Sequence, residues 1–197
     1  MEITKGTKRV FLISEGLTAI PDELRLVSDT LEDLVLGGNQ IKELPDWFVE
    51  FRNLKGLHLQ GNQIKEIPEW FSKLSSLKTL DLSDNQIKGL PSTFGQLHSL
   101  NYLFLHSNQI KGLPSTFGQL KNLIALDLSD NQLRELPKSF SQLQKLSKLV
   151  LSENKLKELP PNFNGLKNLW YLALNKNPLN AQSIHCVTSI KNFNCVL

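Results

Sequence analysis

Apolar residues in this chain follow a pattern that returns every 23 residues from Leu31 onward. Written from Leu77 the unit reads LKTLDLSDNQIKGLPSTFGQLHS, and it restarts at Leu100, Leu123, Leu146 and Leu169. With Leu77 as position 1, positions 1, 4 and 6 are apolar in nearly every copy, as in Leu100, Leu103 and Leu105. The alternation around positions 3 to 7 predicts a short strand, with leucines inward and positions 3, 5 and 7 outward. Position 9 is Asn in every full copy, from Asn39 to Asn177. Its amide both donates and accepts, so a stacked asparagine ladder pairs backbone groups where the chain leaves the strand. Position 15 is Pro in six copies, Pro45 to Pro160. Proline lacks an N–H and fixes φ, so this return arm is not expected to be a central strand. Position 18 is Phe in six successive units (Phe48, Phe71, Phe94, Phe117, Phe140 and Phe163), which predicts a core spine on the outer side.

A fixed period of this length indicates one small unit stacked many times. A single unit buries too little to fold alone, and stacking supplies the missing contacts on both of its faces. The motif LxxLxLxxNxIxxLPxxFxxLxx resembles the leucine-rich repeat of the 23-residue class. The whole is similar to short bacterial leucine-rich-repeat proteins such as those of pathogenic spirochaetes. That resemblance implies an α/β fold, a curved solenoid or horseshoe. About eight short parallel strands would line the concave face, and helical or 3₁₀ turns the convex one. One domain over 1–197 is expected: a degenerate opening repeat at 7–30, regular repeats at 31–179, and a C-terminal cap at 180–197. The cap is expected to fold over the last open edge, because an unpaired edge invites other chains. The resemblance also implies a protein-binding module without catalysis, and for a spirochaete protein, recognition of a host protein.

Composition narrows the classes of partner. A formal charge of +3 is too small to imply nucleic acid or an anionic membrane surface. No apolar run approaches the roughly 20 residues of a membrane span. The N-terminus lacks a leader-like apolar segment, which favours the cytoplasm if Met1 is the native start and export if a leader was removed. Cys186 and Cys195, nine apart, form a disulfide in an exported protein or stay free thiols in a reducing compartment.

Two units locate the candidate site. Residues 86–97 and 109–120 are the same twelve letters, QIKGLPSTFGQL, yet the strands before them differ. One presents Thr79, Asp81 and Ser83, and the next Tyr102, Phe104 and His106. Scaffold is repeated while the concave face varies. Tyr102, Phe104 and His106 are therefore expected to anchor a protein partner, because a few rigid rings dominate most interfaces. Asp81 and Asp127 would flank them, with His58, Lys148 and Tyr171 extending the patch. The partner would be a protein and not nucleic acid, bound by a monomer. The alternative is a structural or self-associating protein whose concave face or open end meets a copy of itself.

Other features carry less. Position 12 is basic in six units (Lys42, Lys65, Lys88, Lys111, Arg134, Lys157), but acids follow four of them and no aromatics interleave, so solvated surface charge is expected. Trp47 and Trp70, one unit apart, are read as packing on the Phe spine. No phosphate-cradling loop, zinc motif or nucleophile–base set is present, so no cofactor and no enzyme activity are expected. His58 beside Asp81 is the best acid–base pair, and His106 near Asp127 and Asp130 the best cation site. Both signals are weak.

Overall fold

A computed structural model describes residues 4–188 and 194–197, apart from the side chains of residues 186 and 188. The period-two segments form strands β1 (Arg9–Phe11), β2 (Asp33–Val35), β3 (Gly56–His58), β4 (Thr79–Asp81), β5 (Tyr102–Phe104), β6 (Ala125–Asp127), β7 (Lys148–Val150) and β8 (Tyr171–Ala173). An α-helix, α1 (Ala181–Thr188), then leads to β9 (Asn194–Val196). All neighbours pair in parallel, in sequence order, in one sheet. Each register step is one repeat, so Leu57, Leu80, Leu103, Leu126 and Leu149 form a single inward row. All five are buried.

The tail covers the edge of β8 by adding a ninth parallel strand, one more than the eight expected, with Leu172 opposite Cys195. The period itself contains this signal: Cys195 and Leu197 lie 23 residues after Leu172 and Leu174, at positions 4 and 6. The free edge therefore moves from β8 to β9. Whether Cys186 and Cys195 pair lies outside the described side chains. Cys195 itself is half-buried against the core, and burial pushes its thiol pKa up.

The return arms after β1 to β7 form 3₁₀ turns, such as Ser92–Gln96 and Ser115–Gln119, entered through an extended Pro91 or Pro114, while the arm after β8 forms α1. Proline suits this place because its fixed φ leads into the turn and the missing N–H costs nothing there. The position 18 rings are fully buried. From Phe71 to Phe163 they stack face to face at 6.1–6.5 Å. Strands sit only about 4.8 Å apart, so the outer layer is about a third wider per unit, and the stack curves with the sheet inside. Trp47 and Trp70 are half-buried on this spine, and Trp70 donates its indole N–H to Asp46 at 2.8 Å.

The asparagine column does the polar work at the bend. Asn108 Oδ1 accepts the Ile87 N–H at 2.9 Å, while Nδ2 donates to Leu82 O at 2.9 Å and Leu105 O at 3.1 Å. Each Asn thus ties its own unit to the one before. Position 8 has a second requirement: φ is positive at Gly38, Gly61, Asp84, Ser107, Asp130, Glu153 and Lys176. Gly and Asp recur there because a left-handed backbone costs them least.

Candidate functional site on the concave sheet

The inward leucines force their strand neighbours outward, so positions 3 and 5 form two rows across the concave face. In the first row Tyr102 stands between Thr79 and Ala125, followed by Lys148 and Tyr171. In the second, Phe104 stands directly between Asp81 and Asp127, and His58 pairs with Asp81. Tyr102 is 42% exposed, Phe104 is half-buried, and Leu103 between them is fully buried. The strand register therefore brings Asp81, Tyr102, Phe104 and Asp127 together on three adjacent strands, with His106 just beyond Phe104 on the side of Asp84.

Position 7 differs from its predicted outward role. Ser83 is only 2% exposed. Its N–H and hydroxyl both donate to Asp81 Oδ1, at 3.0 and 2.7 Å. Ser129 does the same to Asp127 Oδ1, at 2.9 and 2.6 Å. These bonds hold both carboxylates in one orientation, with Oδ1 turned down the strand. The SxD pairing was readable as the repeated DLS in both units, but only the bend after the strand shows the serine turning back.

Of the two weak polar pairings, His58 and Asp81 do stand side by side in register, but Asp81 is held by Ser83 and His58 turns towards Gly56 of its own strand. Its Nε2 lies 3.6 Å from where a Gly56 Cβ would stand, a space it shares with the Asp33 carboxylate. His106 does not gather with Asp127 and Asp130. Its Nε2 is 3.7 Å from Asp84 Oδ2, one strand earlier, and its Nδ1 is buried without a hydrogen-bond partner. Among the described residues no group of three or more His, Cys, Asp or Glu is placed to hold a metal ion.

Lys148 and Tyr171 are neighbours in register, with the ammonium 5.6 Å from the ring centroid. Sequence reasoning missed their neighbour Trp170, which is 53% exposed and edge-on to Tyr171 at 5.9 Å. Position 2 is Glu32, Lys55, Lys78, Asn101, Ile124 and Ser147 in the other regular units, so an aromatic residue there was the available signal. Phe11 on the outermost strand and Ile13 just after it, outward positions of the opening repeat, are 55% and 53% exposed. The basic residues of position 12 are all exposed, away from this face. Among the described residues no helix is long and apolar enough to cross a membrane.

Comparison with known proteins agrees with this architecture. Family profiles described as leucine-rich repeat region and leucine rich repeat match residues 50–130, and 113–156 and 136–179, respectively. No curated protein sequence is a significant match. Among solved structures, a leucine-rich-repeat protein of Leptospira interrogans is 34% identical over 96% of this chain, with a TM-score of 0.75. The chain spans 54% of that protein's length. The leucine-rich-repeat ectodomain of the plant membrane receptor kinase GASSHO1/SCHENGEN3 from Arabidopsis thaliana, in complex with CASPARIAN STRIP INTEGRITY FACTOR 2, is 37% identical over 82% of this chain. Its TM-score is also 0.75, and the match covers 20% of that chain. With seven in-register copies of the motif, a nine-stranded parallel sheet and these matches, the chain belongs to the leucine-rich-repeat family.

Proposed function

We propose that this protein is a non-enzymatic interaction module that holds a protein partner on its concave sheet. The observation that carries the reading is the contrast between the Leu77 and Leu100 units. Their return arms are identical, while the outward side chains of β4 and β5 share nothing. An exposed Tyr102 beside Phe104 has no packing role that the neighbouring units need, since Thr79 and Ala125 stand in the same row. Tyr102, Phe104 and His106 serve as anchors, Asp81 and Asp127 as flanking contacts, and His58, Lys148 and Tyr171 as extensions. Nine strands span about 38 Å at the usual spacing, a face large enough for the ~800 Å² that each partner buries in a standard interface. The complexed plant ectodomain shows a related fold engaging another protein, and host proteins are the first partners to screen for a bacterial relative. Replacing Tyr102 and Phe104 with Ala should cut partner capture at least about tenfold, as expected for central rings, while leaving the fold intact. Unchanged capture would reject this site.

A second reading rests on a different end of the molecule. Phe11 on β1 and Ile13 just after it are exposed, and among the described residues β1 has no neighbour on its outer side. Exposed apolar groups at a sheet edge favour pairing with another copy. Light scattering across a concentration series separates the readings, because only self-association raises the apparent mass.

A further inference from the structure

We propose that the segment seated on β4 to β6 presents an arginine, its guanidinium stacked on Phe104 and bridging Asp81 and Asp127. This rests on the concave-face reading and adds the chemistry of the partner. The sequence LDLSDNQ occurs twice, at 80–86 and 126–132, on either side of the strand bearing Phe104. The register therefore puts one carboxylate on each side of the ring, opposite Phe104 in both pairs. Both carboxylates are pre-oriented through Oδ1 by a serine, so neither must be reorganised on binding. Among the described residues no cation pairs with Asp81, Asp127 or Asp130. Lys148, on the strand next to that of Asp127, turns to the Tyr171 ring. The face is thus an aromatic centre with unneutralised acid on both sides, and its complement is a flat cation.

Geometry favours arginine over lysine. Asp81 and Asp127 lie two strand spacings apart, about 10 Å. Two charge-assisted bonds of about 2.8 Å plus the width of a guanidinium fill most of that gap. An ammonium is compact and reaches one carboxylate at a time, whereas the planar guanidinium also stacks on an aromatic face. The two carboxylates are too far apart to share one metal ion.

The test pans a displayed library of random dodecapeptides against the full chain and measures the affinity of the enriched peptides. Arginine should be enriched, and its replacement by citrulline should weaken binding at least about tenfold. The double variant D81N/D127N keeps the Oδ1 acceptors for Ser83 and Ser129, so it should melt like the parent and lose affinity for the same peptides about tenfold or more. Enrichment of peptides without a cation, enrichment of none, or full affinity in D81N/D127N would overturn the proposal. If Y102A/F104A abolishes binding while D81N/D127N does not, the concave site stands and the arginine assignment fails. If neither variant matters, both readings fail.

Discussion

The Leu77 and Leu100 units are nearly the same object seen from outside and different objects seen from inside the curve. Their 3₁₀ turns begin at Pro91 and Pro114 with φ −64° in both, and end at Leu97 and Leu120 with φ,ψ of −72°, 60° and −71°, 60°. Phe94 and Phe117 stack with 1° between their planes. On the concave face, Asp81 with its serine partner gives way to an exposed Tyr102 and a half-buried Phe104. A buried side chain in a stack touches its equivalent in two neighbours, so the tolerance for change is low. An outward side chain meets water and two cross-strand neighbours, so it is free to follow a partner's chemistry. The same residue type should therefore behave oppositely on the two faces.

Phe117 and Phe104 give the largest expected contrast, since both belong to one unit. Phe117→Ala opens a cavity between Phe94 and Phe140, whose rings lie 6.4 and 6.1 Å from it, and should cost about 3–5 kcal/mol in urea unfolding. Phe104→Ala should cost less, about 1–2 kcal/mol, because its half-buried ring is open to solvent on one side and its loss leaves no enclosed cavity. Comparable losses from the two would erase the distinction between scaffold and face.

Asn108→Leu is expected next. It removes the partners of the Ile87 N–H and of two buried carbonyls, at about 1–3 kcal/mol per group left unpaired. A melting curve that matched the parent would show that water replaces the ladder.

Two glycines of the same unit sharpen the account further. A Cβ at Gly118 would run into the Ser139 carbonyl of the next unit, while one at Gly112 meets nothing within 4 Å. Gly118→Ala should destabilise by roughly 1–3 kcal/mol through overpacking. Gly112→Ala should be neutral or stabilise by up to about 1 kcal/mol.

The smallest effect lies at the N-terminal side, where position 2 carries a charged column. Hydrogen bonds from Lys55 and then Lys8 push the Glu32 carboxyl down to about 2 from its ordinary 4.5. A depressed carboxylate pKa contributes stability above 4.5 that is lost as pH falls towards 2. The pair is exposed, so the gap in melting temperature between the parent and Glu32→Gln should be small at neutral pH. It should close by about pH 2 and shrink in high salt.

What could be read from the sequence follows the same division. The inward leucines, the Asn ladder and the Phe spine were legible because each copy repeats the same physical demand. Rows 3 and 5 were legible by subtraction, as the outward positions left over. The orientation of the polar groups was not. Ser83 turns back to Asp81, and Asp84, in a left-handed backbone position, lies beside His106. Both depend on the bend after the strand, which the side-chain alternation does not encode. The ninth strand was hidden for another reason: Asn194–Val196 keeps the 23-residue spacing, but only Cys195 and Leu197 mark it, without the flanking Asn or Phe.

The central claim is that the face is independent of the frame, and exchanging the face alone tests it most directly. In the triple variant Y102T/F104V/H106S every introduced residue already stands at the same position of another unit, at Thr79, Val150 and Ser83. Thermal melting and partner binding are measured on the same preparation. The account predicts a melting temperature within a few degrees of the parent and binding lost. A protein that unfolds, or that folds and binds its partner as before, would contradict it.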